Sequence, residues 1–211
     1  MKASIILPAY NEEKHIGGVI EKIPDKYEII VVDDGSTDRT MEVAKKYGCT
    51  CVRLNRNMGK GFACRTGVKI ASNKNIVFID SDGQLDAGEI PKMLSALRKC
   101  DLAVGTRNMN GIPVQRRVSN NFAKLLMSRA AGRKMGDVLC GFRAIRRSDF
   151  SSLGLVKKRY EIEVEMIIKA VKNGLQIREV PISVRYGIGS SMPVKDSLSV
   201  TSYILNQALH K

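Results

Sequence analysis

The fold is decided by Asn75-Ile76-Val77-Phe78-Ile79-Asp80-Ser81-Asp82-Gly83-Gln84. Four consecutive apolar residues, Ile76 to Ile79, run directly into two carboxylates and a turn glycine. So short an apolar run, bounded by a turn signal, reads as a strand buried on both faces. Working outward from it, Ser4–Leu7, Tyr27–Val32, Cys51–Leu54 and Leu102–Val104 are further strand candidates. Between them Glu12–Lys22, Arg39–Tyr47, Gly61–Ala71 and Glu89–Lys99 read as helices, the second stopped by Gly48. Strand and helix alternate through residues 1–106, which predicts an α/β fold: a mostly parallel sheet with helices on both faces. Ligands of such sheets lie beyond the carboxyl ends of the strands. Residues at strand ends therefore become the candidate site.

The pattern changes after Thr106. Asn108–Val114, with Gly111 and Pro113, reads as a loop, and Asn120–Ala131 as a helix. Gly141–Ile145 is a short strand candidate, Glu161–Lys172 a helix, Ile177–Val180 and Ile182–Val184 two strands, and Leu198–Leu209 a final amphipathic helix. No repeat or linker interrupts the chain. One domain over 1–211 is expected, since 211 residues with 44% hydrophobic content suffice for a single core.

Charge is unevenly spread. Residues 1–109 carry 17 basic and 14 acidic groups, whereas 110–211 carry 18 and 7, so most of the +14 net charge lies in the second half. Between Arg116 and Arg159 stand 12 basic groups against Asp137 and Asp149. Such a segment seeks phosphate, whether of a nucleotide, a nucleic acid or an anionic lipid surface. The five cysteines, at 49, 51, 64, 100 and 140, are odd in number and contain no C-x-x-C, so reduced and mostly buried thiols are expected. Met1 to Leu7 reads as a strand and not as a leader. The longest late uncharged run, Ser197 to His210, has 14 residues, short of the ~20 that a spanning helix needs. A cytoplasmic protein follows, with peripheral contact at the inner membrane face as the one membrane role left.

Two acidic clusters carry the chemistry. In Val31-Val32-Asp33-Asp34-Gly35-Ser36 a strand ends in carboxylates able to accept from a base N–H. The competing reading is that Asp34 or Ser36 caps the next helix. In Asp80-Ser81-Asp82-Gly83-Gln84 two carboxylates and an amide form an oxygen-rich set suited to Mg²⁺ or Mn²⁺ shared with phosphate oxygens. An EF-hand would need Glu at 91, where Pro91 stands. Gly59-Lys60-Gly61 is neither a Walker A loop, since Leu54 and Gly61 occupy its other key positions, nor a dinucleotide fingerprint, since Cys64 takes the last glycine. A helix start under close backbone approach is the reading that remains.

Together Pro8-Ala9-Tyr10-Asn11-Glu12, Val32 to Asp38, Asn57-Met58-Gly59-Lys60-Gly61 and Asp80 to Gln84 resemble family 2 glycosyltransferases in order and spacing. Gly105-Thr106-Arg107, Gly141-Phe142-Arg143-Ala144 and Glu161-Ile162-Glu163 look like the branch of polyprenyl (dolichyl) phosphate mannose and glucose synthases. The resemblance covers about residues 3–192. It implies a GT-A fold, Rossmann-like, with a nucleotide-sugar half at 1–106 and an acceptor-side half at 107–211. Pro8, Tyr10, Glu12, Val32 and Asp34 would line the nucleoside pocket. Asp80, Asp82 and Gln84 would hold the metal and diphosphate, with Ser81 adding backbone contacts and Arg185 reaching the donor diphosphate. Asp82 would be indispensable to catalysis, and Arg107 and Arg117 would meet the acceptor phosphate, with Arg116 able to replace Arg117. Arginine suits that role because its fork binds phosphate bidentately. One departure stands out: Ser191, in Gly189-Ser190-Ser191-Met192, occupies a position where this branch carries lysine, with Lys195 the nearest substitute.

The implied reaction is a single inverting displacement, moving a hexose from a GDP-mannose or UDP-glucose type donor to a polyprenyl phosphate. That acceptor is already anionic and needs positioning more than a base. A sugar-hydroxyl acceptor would need one, with Asp137 or Glu161 as candidates. A non-catalytic nucleotide-sugar or nucleic-acid binding module is the rival from another class. The basic half suits it, but carboxylates at strand ends would repel a polyanion, so no nucleic acid partner is expected. The terminal helix has three roles open to it: packing on the core, a homodimer contact, or lying on an anionic leaflet.

Overall fold

In the computed structural model, which describes residues 1–107, 128–129, 132, 135–185, 187 and 193–209, seven strands form one sheet. They are β1 (Ala3–Ala9), β2 (Glu28–Asp33), β3 (Thr50–Arg53), β4 (Asn75–Phe78), β5 (Leu102–Arg107), β6 (Arg143–Arg146) and β7 (Ile177–Ile182). Their order across the sheet is β3-β2-β1-β4-β6-β5-β7. Every neighbouring pair is parallel except β6, which runs antiparallel to both β4 and β5. The expected mostly parallel sheet is thus present, with one reversed strand inside it.

The helices are α1 (Ile16–Ile20), α2 (Thr40–Lys45), α3 (Lys60–Ile70), α4 (Ile90–Ala96), α5 (Arg147–Ser152), α6 (Glu161–Lys172) and α7 (Val194–Leu209), with a 3-10 turn at Ala87–Glu89. The sheet has a core on each face because side chains alternate along a strand. Ile6, Ile30, Val32, Ile76 and Phe78 point to the face covered by α3, α6 and α7. Ile5, Leu7, Val31, Val77 and Ile79 point to the face covered by α1, α2 and α4. All seven residues of β1 are buried, as a central strand covered twice requires. Each fully buried Ile or Leu contributes roughly 1.5–3 kcal/mol relative to exposure.

Most elements differ from the sequence reading by a few residues at their ends, and four differences have a physical reason. The first helix was expected from Glu12 but starts at Ile16. The amides of Asn11, Glu12 and Glu13 are taken instead by Ser36 Oγ, Thr40 Oγ1 and Asp38 Oδ2, a local competition that polar side chains win near helix starts. Pro181 was expected to separate two strands, yet β7 runs through it to Ile182. β7 is an edge strand, where a missing N–H costs no ladder bond. The last helix begins at Val194, directly after Pro193, four residues before the expected Leu198. Helix α5 was not foreseen; it is short and polar and is anchored by Phe150, whose ring lies 5.3 Å from that of Phe78. The loop expected at Asn108–Val114 lies outside the described residues, as does the helix expected at Asn120–Ala131 but for residues 128–129.

The thiols are free; Cys64, Cys100 and Cys140 are buried and Cys49 and Cys51 half-buried. Among the described residues no helix is long and apolar enough to cross a membrane. Helix α7 packs Val200, Ile204 and Ala208 into the core and leaves Leu198, Leu205 and Leu209 exposed.

Candidate active site at the carboxyl ends of β1, β2 and β4

Three strand ends are stitched together before any ligand is considered. Asn11, the only non-glycine residue at positive φ (56°) among those described, turns the chain out of β1. Its Oδ1 accepts from the Thr37 amide at 2.9 Å, joining the loop after β1 to the loop after β2. Ser81, buried, donates from Oγ to the Pro8 carbonyl at 2.9 Å, joining β4's end to β1. Pro8 and Val32 are buried in the strands themselves, Glu12 is buried just beyond β1, and Tyr10 stands 44% exposed at the rim. The sequence-predicted nucleoside residues are thus brought to one edge.

The two aspartates ending β2 do different work. Asp33 is fully buried; it accepts from the Ser36 amide at 2.9 Å, and its other oxygen lies 3.4 Å from Arg53 Nε. Asp34 caps no helix, and neither does Ser36. Its carboxylate receives the amides of Met58 at 2.7 Å and Gly59 at 2.8 Å, so it fixes the entrance to α3. Burial pushes the Asp34 carboxyl up, against the pull of those two amides. The helix-cap alternative is therefore not realised.

The loop after β4 holds the second acidic pair. Asp82 Oδ1 accepts from the Gln84 amide at 3.0 Å, closing a tight turn through Gly83. Burial, reinforced by the charge of Asp80, pushes the Asp82 carboxyl up to about 6. The Gln84 carbonyl accepts from the Arg185 amide at 2.8 Å, and Leu85 bridges Val184. The backbone thereby brings Arg185, which the resemblance assigns to the donor diphosphate, beside the acidic loop.

Asp80 has a partner that the sequence reading did not assign. Lys60, the first residue of α3, forms ion pairs with both Asp80 and Glu163. Burial works to lower the lysine's pKa, but the two carboxylates outweigh it and hold the ammonium well above its ordinary value. The placement is overdetermined. A Cβ on Gly59 (φ +95°) would meet the Lys158 carbonyl at 2.5 Å, and one on Gly61 the Lys157 carbonyl at 2.4 Å. Only glycines let the 157–158 segment cross here, confirming the close approach read from Gly59-Lys60-Gly61. That segment is held in turn by Glu165, which accepts from the amides of Val156 (3.0 Å) and Lys157 (2.8 Å). On the far side, a Cβ on Gly141 would collide with the Asp80 carboxylate. Arg143, 1% exposed, locks that wall by donating to the carbonyls of Cys140 (3.0 Å), Val138 (2.8 Å) and Glu163.

The predicted acceptor side is described only in part. Arg107 stands at the end of β5, but its fork is engaged by Asp137. Asp137 is buried, and Glu179 accepts the amides of Gly136 and Asp137 beneath it. Arg117, Arg116 and Ser191 lie outside the described residues. Glu161 sits in the first turn of α6 and accepts from Ser199.

Among the described residues no three acidic, histidine or cysteine groups are arranged to hold a metal unaided. Asp80 and Asp82 still fit a divalent cation in partnership with a ligand. The Asp80 charge lies close enough to oppose the ionisation of Asp82, on a loop rich in oxygen. Sequence reasoning missed Lys60, Glu163 and Arg143 as members of the site. The available signal was a pair of glutamates, Glu163 and Glu165, inside the otherwise apolar run Ile162–Ile168, since unpaired acids are almost never fully buried.

A family model described as glycosyl transferase family 2 matches residues 4–154. The chain is 30% identical to a dodecaprenyl-phosphate galacturonate synthase of Rhizobium johnstonii, over 99% of this chain and 69% of that one. It is 31% identical to a dolichol-phosphate mannosyltransferase of Pyrococcus furiosus, over 87% of this chain and 56% of that one. Among solved structures, glucosyl-3-phosphoglycerate synthase of Mycobacterium tuberculosis, in complex with Mn²⁺, UDP and glucosyl-3-phosphoglycerate, superposes with a TM-score of 0.81 at 26% identity, covering 98% of this chain and 80% of that one.

Proposed function

The chain belongs to glycosyltransferase family 2, and from that premise we propose that it moves a hexose from a nucleotide-sugar to a polyprenyl phosphate, with inversion at the anomeric carbon. The observation carrying the reading is the acidic loop Asp80–Gln84 at the end of β4, tied to β1 through Ser81 and to the backbone of Arg185 through the Gln84 carbonyl. Asp34, Glu12, Val32, Pro8 and Tyr10 receive the nucleoside. Asp80, Asp82 and Gln84 hold Mg²⁺ or Mn²⁺, a role in keeping with the Mn²⁺ in the mycobacterial synthase complex. Bound there, the cation's chemistry is to neutralise the diphosphate leaving group. An acceptor phosphate oxygen attacks the anomeric carbon as the bond to the donor diphosphate breaks. The acceptor brings its own negative charge, so positioning and charge matching do the catalysis. Arg107, Arg117 and the basic second half supply that matching. An anionic membrane face is the place of action, reached peripherally by exposed Leu198, Leu205 and Leu209 and by the +14 net charge.

A second reading has a specific observation behind it. The mycobacterial enzyme with a TM-score of 0.81 is named for glucosyl-3-phosphoglycerate, a soluble phosphorylated product. Both readings share a phosphate-bearing acceptor. The separating experiment incubates GDP- and UDP-sugars with Mn²⁺ and either polyprenyl phosphate in vesicles or 3-phosphoglycerate. Glycosylated lipid supports the first reading. Transfer to phosphoglycerate alone replaces it with the second.

A further inference from the structure

Lys60 occupies the place where a cation is needed. Its ammonium pairs with Asp80, the first carboxylate of the acidic loop, and lies 2.6 Å from Glu163 Oε1. The side chains of Lys60 and Glu163 are 13% and 4% exposed, so water screens neither pairing well. The ring of Tyr160 closes the group, with its centroid 5.6 Å from Nζ. Glu163 has a second oxygen, Oε2, which is buried and has no hydrogen-bond partner among the described residues. An ammonium carries three donors, so this oxygen is a vacant seat beside the one already used. Lys60 thus has two stations: bridging Asp80 and Glu163, or gathered wholly onto Glu163.

We propose that Lys60 is an internal counter-cation that holds Asp80 in the nucleotide-free protein and withdraws onto Glu163 when a divalent cation arrives together with a nucleoside diphosphate. The inference rests on the assignment of Asp80 and Asp82 as ligands in the proposed function. Its physical basis is charge. A lone divalent ion at Asp80 meets a fixed positive charge that shares the same carboxylate. A cation accompanied by diphosphate brings its own negative oxygens and is admitted. Lys60 is then a positioning residue that couples cation binding to nucleotide binding. It also keeps Asp80 and Glu163 from facing each other uncompensated while the site waits.

The test measures Mn²⁺ binding by electron paramagnetic resonance on the metal-stripped full chain, with and without UDP or GDP. Without nucleotide, Lys60→Met should bind Mn²⁺ more tightly than wild type by about tenfold or more, the scale on which one neighbouring charge alters proton binding to a carboxylate. Glu163→Gln should act oppositely, weakening Mn²⁺ binding even with nucleotide, because the ammonium has lost its second station. Lys69→Met, on the exposed side of α3, should match wild type. Should Lys60→Met fail to fold, the double variant Lys60→Met/Glu163→Gln removes one charge of each sign and carries the same expectation of tighter nucleotide-free binding. Equal nucleotide-free affinity in wild type and the Lys60 variants, with wild type still binding Mn²⁺ in the presence of nucleotide, overturns the role of Lys60 alone. Absence of Mn²⁺ binding in wild type with either nucleotide overturns the ligand assignment itself.

Discussion

Arg107 grips Asp137 with both arms of its guanidinium, Nε to Oδ2 at 2.6 Å and Nη2 to Oδ1 at 3.0 Å. The pair is more than half of a local clasp, because the Arg107 amide also reaches Asp137 Oδ2 at 3.3 Å. Burial works against the arginine's charge, but the carboxylate outweighs it and raises its pKa. An arginine predicted to greet an acceptor phosphate is therefore already partnered. Its remaining donors are aimed by Asp137, so under the proposed function an acceptor phosphate would have to approach along the direction this pairing leaves.

Replacing Arg107 by Ala should destabilise the protein by about 3 kcal/mol, since it strands a buried carboxylate. The double variant with Asp137→Ala should lose less than the sum of the two singles. Denaturant melts give both numbers. In turnover assays the acceptor's KM should rise while the donor's stays put; a rise in the donor's KM alone would remove Arg107 from the acceptor side.

Asp82→Asn should lower kcat/KM on the order of 10²-fold or more, as losses of preorganised charge at a leaving group do. It should not lower the melting temperature of the metal-free protein, because it relieves the opposition between Asp80 and Asp82. Steady-state kinetics beside a thermal melt check the two halves separately.

Gly61→Ala should cost about 1–3 kcal/mol and weaken nucleotide binding. The new methyl would stand 2.4 Å from the Lys157 carbonyl and push away the segment that seats Lys60. Gly18→Ala in α1, where a Cβ meets nothing within 4 Å, is the matched control and should stabilise by up to about 1 kcal/mol. Thermal melts with and without UDP and Mn²⁺ compare them.

Asp101 ties the starts of β5 and β7 together, accepting from the Gln176 amide at 2.9 Å and from Arg146 Nη1 at 2.7 Å. The amide first, then the guanidinium, holds its carboxyl below the usual range. A depressed folded-state pKa means stability that is present above the unfolded value near 4 and is lost as pH falls through the folded value. Asp101→Asn should therefore melt lower than wild type at pH 7 and converge with it in acid. The pair is partly exposed, so the effect should not exceed about 1 kcal/mol. Parallel melts that stay separated at pH 2 would contradict the assignment.

How much of this was legible in the sequence depends on distance along the chain. Strands such as Ile76–Ile79 and Tyr27–Val32 announced themselves because their burial is written in consecutive residues. The acidic loop was legible for the same reason: Asp80, Asp82 and Gln84 are local, and a strand end is where α/β ligands lie. What escaped is non-local. Nothing near Lys60 says that it will meet Glu163, 103 residues away. Asp34 looked like a base acceptor or a cap, and its amide partners lie 24 and 25 residues on. The first helix start was misplaced because side chains of the next loop outbid it for three amides. Periodicity cannot register such competition.

The reversed strand β6 has a consequence for how the molecule is made. In the sheet, β5 touches neither β4 nor β1; its neighbours are β6 and β7. During synthesis β5 therefore emerges with no ladder to join, and β4 keeps a bare flank, until residues 143 onward have left the ribosome. The first 107 residues therefore carry an incomplete sheet, with β1 to β4 paired among themselves and β5 left without a neighbour. Released alone, that fragment would present the unpaired side of β4 to other chains, a template for aggregation. The wall around Asp80 comes late as well, since Gly141, Arg143 and Glu163 all follow β1 to β5 in the chain, so a chain truncated at residue 107 lacks the partners that enclose this carboxylate.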